Sequence, residues 1–185
     1  INLKNFNKNR VKMMRSELIS GTIWITGITA SGKTTLGNEL YKRLLRQRHL
    51  KKVVFLDGDE VRKKLNKNYG HKIEDRFASL KDLVQVAKKY YDKKMIVIVS
   101  TVSFKKQMRE YARGKMSNFM EVFLDCSVDV CSERDFKGHY KRAFNGEYET
   151  FIGVTDEYEL SLQPELILHT DSKSIDECSE ILFEK

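Results

Sequence analysis

The stretch Gly27-Ile28-Thr29-Ala30-Ser31-Gly32-Lys33-Thr34-Thr35 follows the apolar run Thr22-Ile23-Trp24-Ile25-Thr26 and precedes Leu36-Gly37-Asn38-Glu39-Leu40. Residues 27–34 fit the pattern G-x-x-x-x-G-K-[ST] without a gap. The chemistry of holding a triphosphate calls for this composition. Glycines let the backbone curl until several N–H groups face one anion, and a helix opening directly behind the loop turns its positive end toward the same charge. The loop follows a predicted strand and opens a predicted helix, which is the context this motif requires. Gly27, Thr29, Ala30, Ser31, Gly32, Lys33, Thr34 and Thr35 are therefore expected to hold a nucleoside triphosphate. Lys33 would neutralise the β and γ phosphates, and the Thr34 hydroxyl would coordinate Mg²⁺.

Outward from this loop, short apolar runs alternate with longer amphipathic segments. Strands are predicted over 22–26, 53–56, 95–99, 119–124 and 166–168. Helices are predicted over 34–47, 73–92, 105–115, 127–135 and 174–184, the first turning Leu36, Leu40, Leu44 and Leu45 inward. Strands of continuous Val/Ile/Leu character separated by helices imply a sheet covered on both faces. The expected fold is α/β: three layers around a mostly parallel five-stranded sheet, with ligands at the carboxyl ends of the strands. Residues 136–159 break the alternation and mix aromatics, basic residues and glycines. A segment of this length without periodicity reads as a lid, and Tyr140, Phe144, Tyr148 and Phe151 argue against disorder.

At 185 residues the chain supports one domain with its own core, expected over 21–185. Its formal net charge of +8 suits an anionic partner or a lysine-rich solvated surface. No apolar run reaches membrane-spanning length. Cys126, Cys131 and Cys178 lack metal-ligand spacing and point to a reducing, cytoplasmic setting. The chain opens on Ile1, and residues 1–20 are expected to be a basic leader of unknown role.

The second predicted strand runs into Asp57-Gly58-Asp59-Glu60-Val61-Arg62. Two carboxylates then lie at the end of a buried strand beside the phosphate loop. One would orient a hydroxyl and the other would hold Mg²⁺. Asp59 also suits a helix N-cap. Asp125, ending the fourth strand, is a second Mg²⁺ or capping candidate. No Asn-Lys-x-Asp guanine signature is present, because Asn7-Lys8 and Asn66-Lys67 lack the aspartate. A small chain with this loop and a lid reads as a small-molecule kinase with a P-loop kinase fold.

Several blocks, in order, resemble the adenylyl-sulfate (APS) kinase family. Residues 27–35 are similar to GLSGSGKST, and 57–62 to DGDNVR. Asp75-Arg76 matches a DR pair, 134–141 resembles RDPKGLYK, and 151–159 resembles FTGIDDPYE. The resemblance implies γ-phosphate transfer from ATP to the ribose 3′-hydroxyl of adenosine 5′-phosphosulfate, with Mg²⁺ as cofactor and a homodimer as assembly. By the same resemblance, Lys33, Asp57 and Asp59 are catalytic, and Thr34 and Asp57 hold the metal. Arg134 lies at the ATP base, and Arg62 and Arg76 hold the acceptor's anionic groups. Lys137 and Lys141 are lid cations, and Phe151 stacks on the acceptor base. Ser103 falls at a serine sometimes labelled a phosphoserine intermediate, although in-line transfer needs no covalent step.

The chain departs from this pattern at particular positions. Ala30 replaces a glycine of the loop, which negative φ would accommodate. DRxxNIRR stands as Asp75-Arg76-Phe77-Ala78-Ser79-Leu80-Lys81-Asp82, so Ser79 replaces an acceptor-side asparagine. SFISP stands as Ser100-Thr101-Val102-Ser103-Phe104, so Thr101 replaces a phenylalanine of the adenine clamp. These exchanges motivate an alternative acceptor, a cytidine nucleotide such as cytidine diphosphoramidate, used by related proteins of capsule-building pathways. A nucleic-acid-binding ATPase is the reading of a different class. The aromatics concentrate in the lid rather than along a basic groove, so the expected partner is a small nucleotide, with no nucleic acid and no membrane.

Overall fold

The structure, a computed structural model, describes residues 20–47, 52–70 and 72–185. Residues 1–19 of the expected leader lie outside the described residues.

Five strands form one sheet in the order β2-β3-β1-β4-β5. They are β1 (Gly21–Thr26), β2 (Val53–Asp57), β3 (Ile96–Ser100), β4 (Phe119–Asp125) and β5 (Leu166–His169). Every pairing is parallel. The helices among the described residues are α1 (Lys33–Arg46), α2 (Gly58–Leu65), α3 (Ile73–Tyr91), α4 (Lys106–Arg113), α5 (Val128–Glu133), α6 (His139–Phe144) and α7 (Ile175–Glu184). No helix among the described residues is long and apolar enough to cross a membrane.

Period-2 alternation on the strands divides the core between the two sheet faces. Trp24, Val97 and Val99 point to one side and pack with Leu80, Leu83, Val84 and Ala87 of α3 and Met108 and Ala112 of α4. Ile25, Ile98, Val122 and Leu124 point to the other and pack with Leu36, Leu40 and Leu44 of α1 and Leu182 of α7. Helix, sheet and helix are thus the three layers expected, and the sheet is parallel throughout.

Two details differ from the periodicity. Leu45 is 47% exposed, because its position on α1 carries it past the edge of the buried stripe. Helix α2 was not predicted. It offers one buried apolar residue, Val61, and owes its start to a cap: the Asp57 carboxylate accepts from the N–H groups of Asp59 and Glu60. Asp57, not Asp59, is therefore the N-cap.

The segment 136–159 contains α6 and an aromatic cluster. Phe151 meets Tyr140 edge-on with ring centroids 4.9 Å apart, and stacks on Tyr148 at 5.6 Å. Its far end is pinned to α4. The Glu159 carboxylate accepts from Lys105 Nζ and the Lys106 N–H, each at 2.9 Å. Arg109, 1% exposed, donates to the Ser103 and Glu159 carbonyls and to Ser161 Oγ, and pairs with buried Glu121 at 3.0 Å.

Candidate active site

The phosphate loop leaves β1 at its carboxyl end and feeds directly into α1. Three of its residues have left-handed or related backbone: Gly27 (φ 146°), Ala30 (φ 60°) and Gly32 (φ 95°). At Gly27 glycine is required by space as well, since a Cβ would lie 2.7 Å from the Leu124 carbonyl oxygen and 2.8 Å from Ser31 Oγ. Ala30 corrects the expectation of negative φ. The loop holds alanine in the left-handed region at a cost of about 1–2 kcal/mol.

Lys33 opens α1, and its ammonium turns inward to donate to the Ile28 carbonyl at 2.5 Å. Burial pushes its pKa down to about 8, against the pull of Asp59, Cys131, Asp57 and Cys126. An ammonium held against a loop carbonyl, with desolvation opposing its charge, is poised for a polyanion.

Opposite the loop, parallel pairing of β2 with β3 sets Asp57 beside Ser100. Asp57 Oδ2 accepts from Thr34 Oγ1 at 2.6 Å and from Ser100 Oγ at 2.9 Å, while Oδ1 accepts from the Asp59 and Glu60 N–H groups at 3.0 and 3.2 Å. Half-burial works to raise the Asp57 pKa. The hydrogen bonds from Thr34, Ser100, Glu60 and Asp59 outweigh it and hold the carboxyl below its ordinary value. Asp59 differs: its side chain is 77% exposed, with Arg62 at 3.8 Å.

The residues present fit a triphosphate and its magnesium. The loop provides a curled backbone with no side chain at Gly27 or Gly32, and the donor set of Thr34 hydroxyl and Asp57 carboxylate is the hard-oxygen kind magnesium takes. Among the described residues no cluster of three or more His, Cys, Asp or Glu could hold a metal.

Arg76, on the first turn of α3, donates to the Thr150 carbonyl at 3.1 Å and lies 5.9 Å from the centre of the Phe104 ring. Burial, and then the neighbouring charge of Arg62, lower its pKa. Two guanidinium groups kept close by the fold favour an anion between them. Thr101 lies against Gly58, its Oγ1 3.1 Å from where a Cβ would stand there. Ser79 is half-buried on α3. Phe151 already carries Tyr148 on its ring.

Other expected residues lie elsewhere. Ser103 is 4% exposed, and its hydroxyl is shared between Trp24 Nε1 at 3.1 Å and Thr26 Oγ1 at 2.8 Å. It is a core residue whose hydroxyl is engaged in a buried polar network. Asp125 pairs with His169 at 3.1 Å on the edge strand, which leaves it a partner other than a metal. Arg134 donates to the Thr170 carbonyl at 2.8 Å, and Thr170 Oγ1 in turn donates to the Ser31 carbonyl at 3.0 Å. It thus borders the loop through Thr170. Thr35, Lys137 and Lys141 are exposed, with Lys137 Nζ 5.8 Å from the Phe136 ring centre.

Sequence reasoning passed over Ser100 and Tyr140. Tyr140, 1% exposed, donates its hydroxyl hydrogen to the Thr29 carbonyl at 2.9 Å and so ties lid to loop. The tyrosine shared with RDPKGLYK was the available signal. Ser100 had its place one residue past a predicted strand and the serine it shares with SFISP.

A phosphate loop on a parallel sheet, with a strand-end carboxylate that caps the next helix and bonds the loop's threonine, defines the site of a P-loop phosphotransferase. Comparison with known proteins narrows this. The profile of the adenylylsulphate kinase family matches residues 19–169. The chain is 38% identical to the adenylyl-sulfate kinase of Rippkaea orientalis over 164 residues, covering 89% of this chain and 90% of that one. It is 41% identical to a probable adenylyl-sulfate kinase of Archaeoglobus fulgidus over 153 residues, covering 83% and 97%. The structure of the Mycobacterium tuberculosis APS kinase in complex with AMPPNP and APS superposes with a TM-score of 0.82 at 32% identity, covering 90% of this chain and 97% of that one. The chain belongs to the adenylylsulphate kinase family.

Proposed function

We propose that the protein transfers the γ-phosphate of ATP to the ribose 3′-hydroxyl of adenosine 5′-phosphosulfate. The observation that carries this reading is the juxtaposition of Lys33 and the Asp57–Thr34 pair on the donor side with Asp59, Arg62 and Arg76 on the acceptor side. Kinship with enzymes named for adenylyl sulfate supports the acceptor. The relatives give no support to a cytidine acceptor.

In this reading the loop amides and Lys33 hold the β and γ phosphates. Magnesium, held by Thr34 with Asp57 supporting its hydroxyl, would neutralise phosphate charge. Asp57 accepts four hydrogen bonds, which is about the full capacity of a carboxylate. That saturation leaves it a fixed support for Thr34. Asp59, exposed and beside Lys33, is the carboxylate free to accept a bond from the 3′-hydroxyl and orient it in line. Arg62 and Arg76 bind the acceptor's phosphosulfate, for which planar guanidinium forks are suited. The lid residues Lys137 and Lys141 add positive charge, Arg134 borders the ATP base, and Ser79, Thr101 and Phe151 line the acceptor. Closure of the lid excludes water and limits ATP hydrolysis. The three buried free thiols suit a reducing cytoplasm. A homodimer belongs to the same reading, and light scattering of the purified protein tests it.

The test is ADP release with Mg·ATP against APS, cytidine diphosphoramidate, CDP and adenosine 5′-phosphate, with Lys33→Ala as the inactive control. Turnover with APS and little with the cytidine compounds is expected. The reverse would overturn the acceptor assignment.

A further inference from the structure

Ser100 is 3% exposed and ends β3, and its hydroxyl donates to one atom, Asp57 Oδ2. Its position is rigid. Ser100 pairs with Asp57 of β2 on one side and Ile25 of β1 on the other, in the middle of a parallel ladder. The same Oδ2 receives Thr34 Oγ1. Two hydroxyls on one carboxylate oxygen, and two backbone N–H groups on the other, fix the carboxylate plane and hence the direction of Thr34. Without the Ser100 bond, Oδ2 keeps only Thr34 Oγ1, the group it has to align, because the bonds from Asp59 and Glu60 engage the opposite oxygen.

We propose that Ser100 is a positioning residue for magnesium-nucleotide binding: its hydroxyl locks the Asp57 carboxylate that aligns the Thr34 hydroxyl. This rests on the nucleotide reading given above. Hydrogen bonds from outside the ligand set commonly govern metal affinity by roughly ten- to a hundredfold. The geometry here makes Ser100 the side chain that supplies such a bond from the neighbouring strand.

The experiment is calorimetric titration of AMPPNP into wild-type protein and Ser100→Ala, once with excess magnesium and once with EDTA. The expected result is that Ser100→Ala weakens binding of the magnesium complex by roughly tenfold or more, while metal-free AMPPNP binds both proteins equally. A merely structural contribution to the core would weaken both forms alike, and that result would overturn the proposal. So would unchanged affinity for the magnesium complex. If Ser100→Ala does not fold, Ser100→Cys fills the same space with a poor donor and carries the same comparison. Failure of the wild-type protein to bind Mg·AMPPNP would overturn the nucleotide reading itself, an outcome distinct from tight wild-type binding with an indifferent Ser100→Ala.

Discussion

The Tyr140 hydroxyl donates to the carbonyl oxygen of Thr29 at 2.9 Å, joining the lid to the phosphate loop across 111 residues of sequence. Tyr140 also meets Phe151 edge-on, so one side chain touches both the phosphate loop and the aromatic cluster of 136–159. Burial raises the phenol's pKa far out of the physiological range, so it stays a donor at every working pH. Tyr140→Phe keeps the ring and deletes the bond. Expected is a rise in KM for ATP and a larger fraction of ATP lost to hydrolysis per acceptor phosphorylated, with the melting temperature little changed. An unchanged ratio of ADP formed to acceptor phosphorylated would remove Tyr140 from lid coupling.

Lys33 predicts an alkaline limb. In the free protein its ammonium loses its proton near pH 8, so the form able to neutralise phosphate prevails below that value and declines above it. Bound triphosphate favours the charged form and raises the pKa again. Accordingly, kcat/KM for ATP is expected to fall as pH rises through about 8, while kcat at saturating ATP holds over the same range. Parallel profiles for the two parameters would contradict this.

Arg76 donates from α3 to the Thr150 carbonyl, and in the proposed reaction it holds the acceptor. Arg76→Ala is expected to raise KM for the acceptor by about ten- to a hundredfold, as befits a lost charge-assisted bond. KM for ATP should change little. Arg76→Lys should recover only part of the loss, because an ammonium lacks the fork. Equal effects on both substrates would mean that Arg76 serves the fold rather than the acceptor.

Arg109 and Glu121 form an ion pair with side chains 1% and 4% exposed. Glu121→Ala leaves the Arg109 charge buried beside two carbonyls and a hydroxyl that do not neutralise it. Expected is a loss of about 3–5 kcal/mol in unfolding free energy, read from denaturant midpoints. A loss below about 1 kcal/mol would assign the pair the weak role of a solvent-exposed bridge.

The phosphate loop was legible because its chemistry is local: glycines, lysine and threonine are contiguous, and strand and helix flank them. The strands were legible because a sheet buried on both faces demands unbroken apolar runs, as in Trp24-Ile25 and Val97-Ile98-Val99. Helix α2 escaped because a side-chain cap rather than an apolar stripe starts it. Ser100 escaped because its role exists only after β2 and β3 align Asp57 beside it, a relation across 43 residues. The surroundings of Ser103 were hidden for a similar reason. It falls at a motif position, but the network of Trp24, Thr26 and Tyr158 that occupies that place cannot be read from any short window. At Ala30 the identity of the residue suggested ordinary backbone, whereas the requirement that loop amides face one anion imposes φ 60°.

Phosphate transfer to the 3′-hydroxyl of adenosine 5′-phosphosulfate is read most directly by phosphorus NMR of a reaction containing Mg·ATP, APS and the protein. The γ resonance is expected to disappear as a phosphomonoester coupled to the ribose H3′ proton appears. Appearance of inorganic phosphate alone, or of a phosphomonoester only when cytidine diphosphoramidate replaces APS, would contradict it.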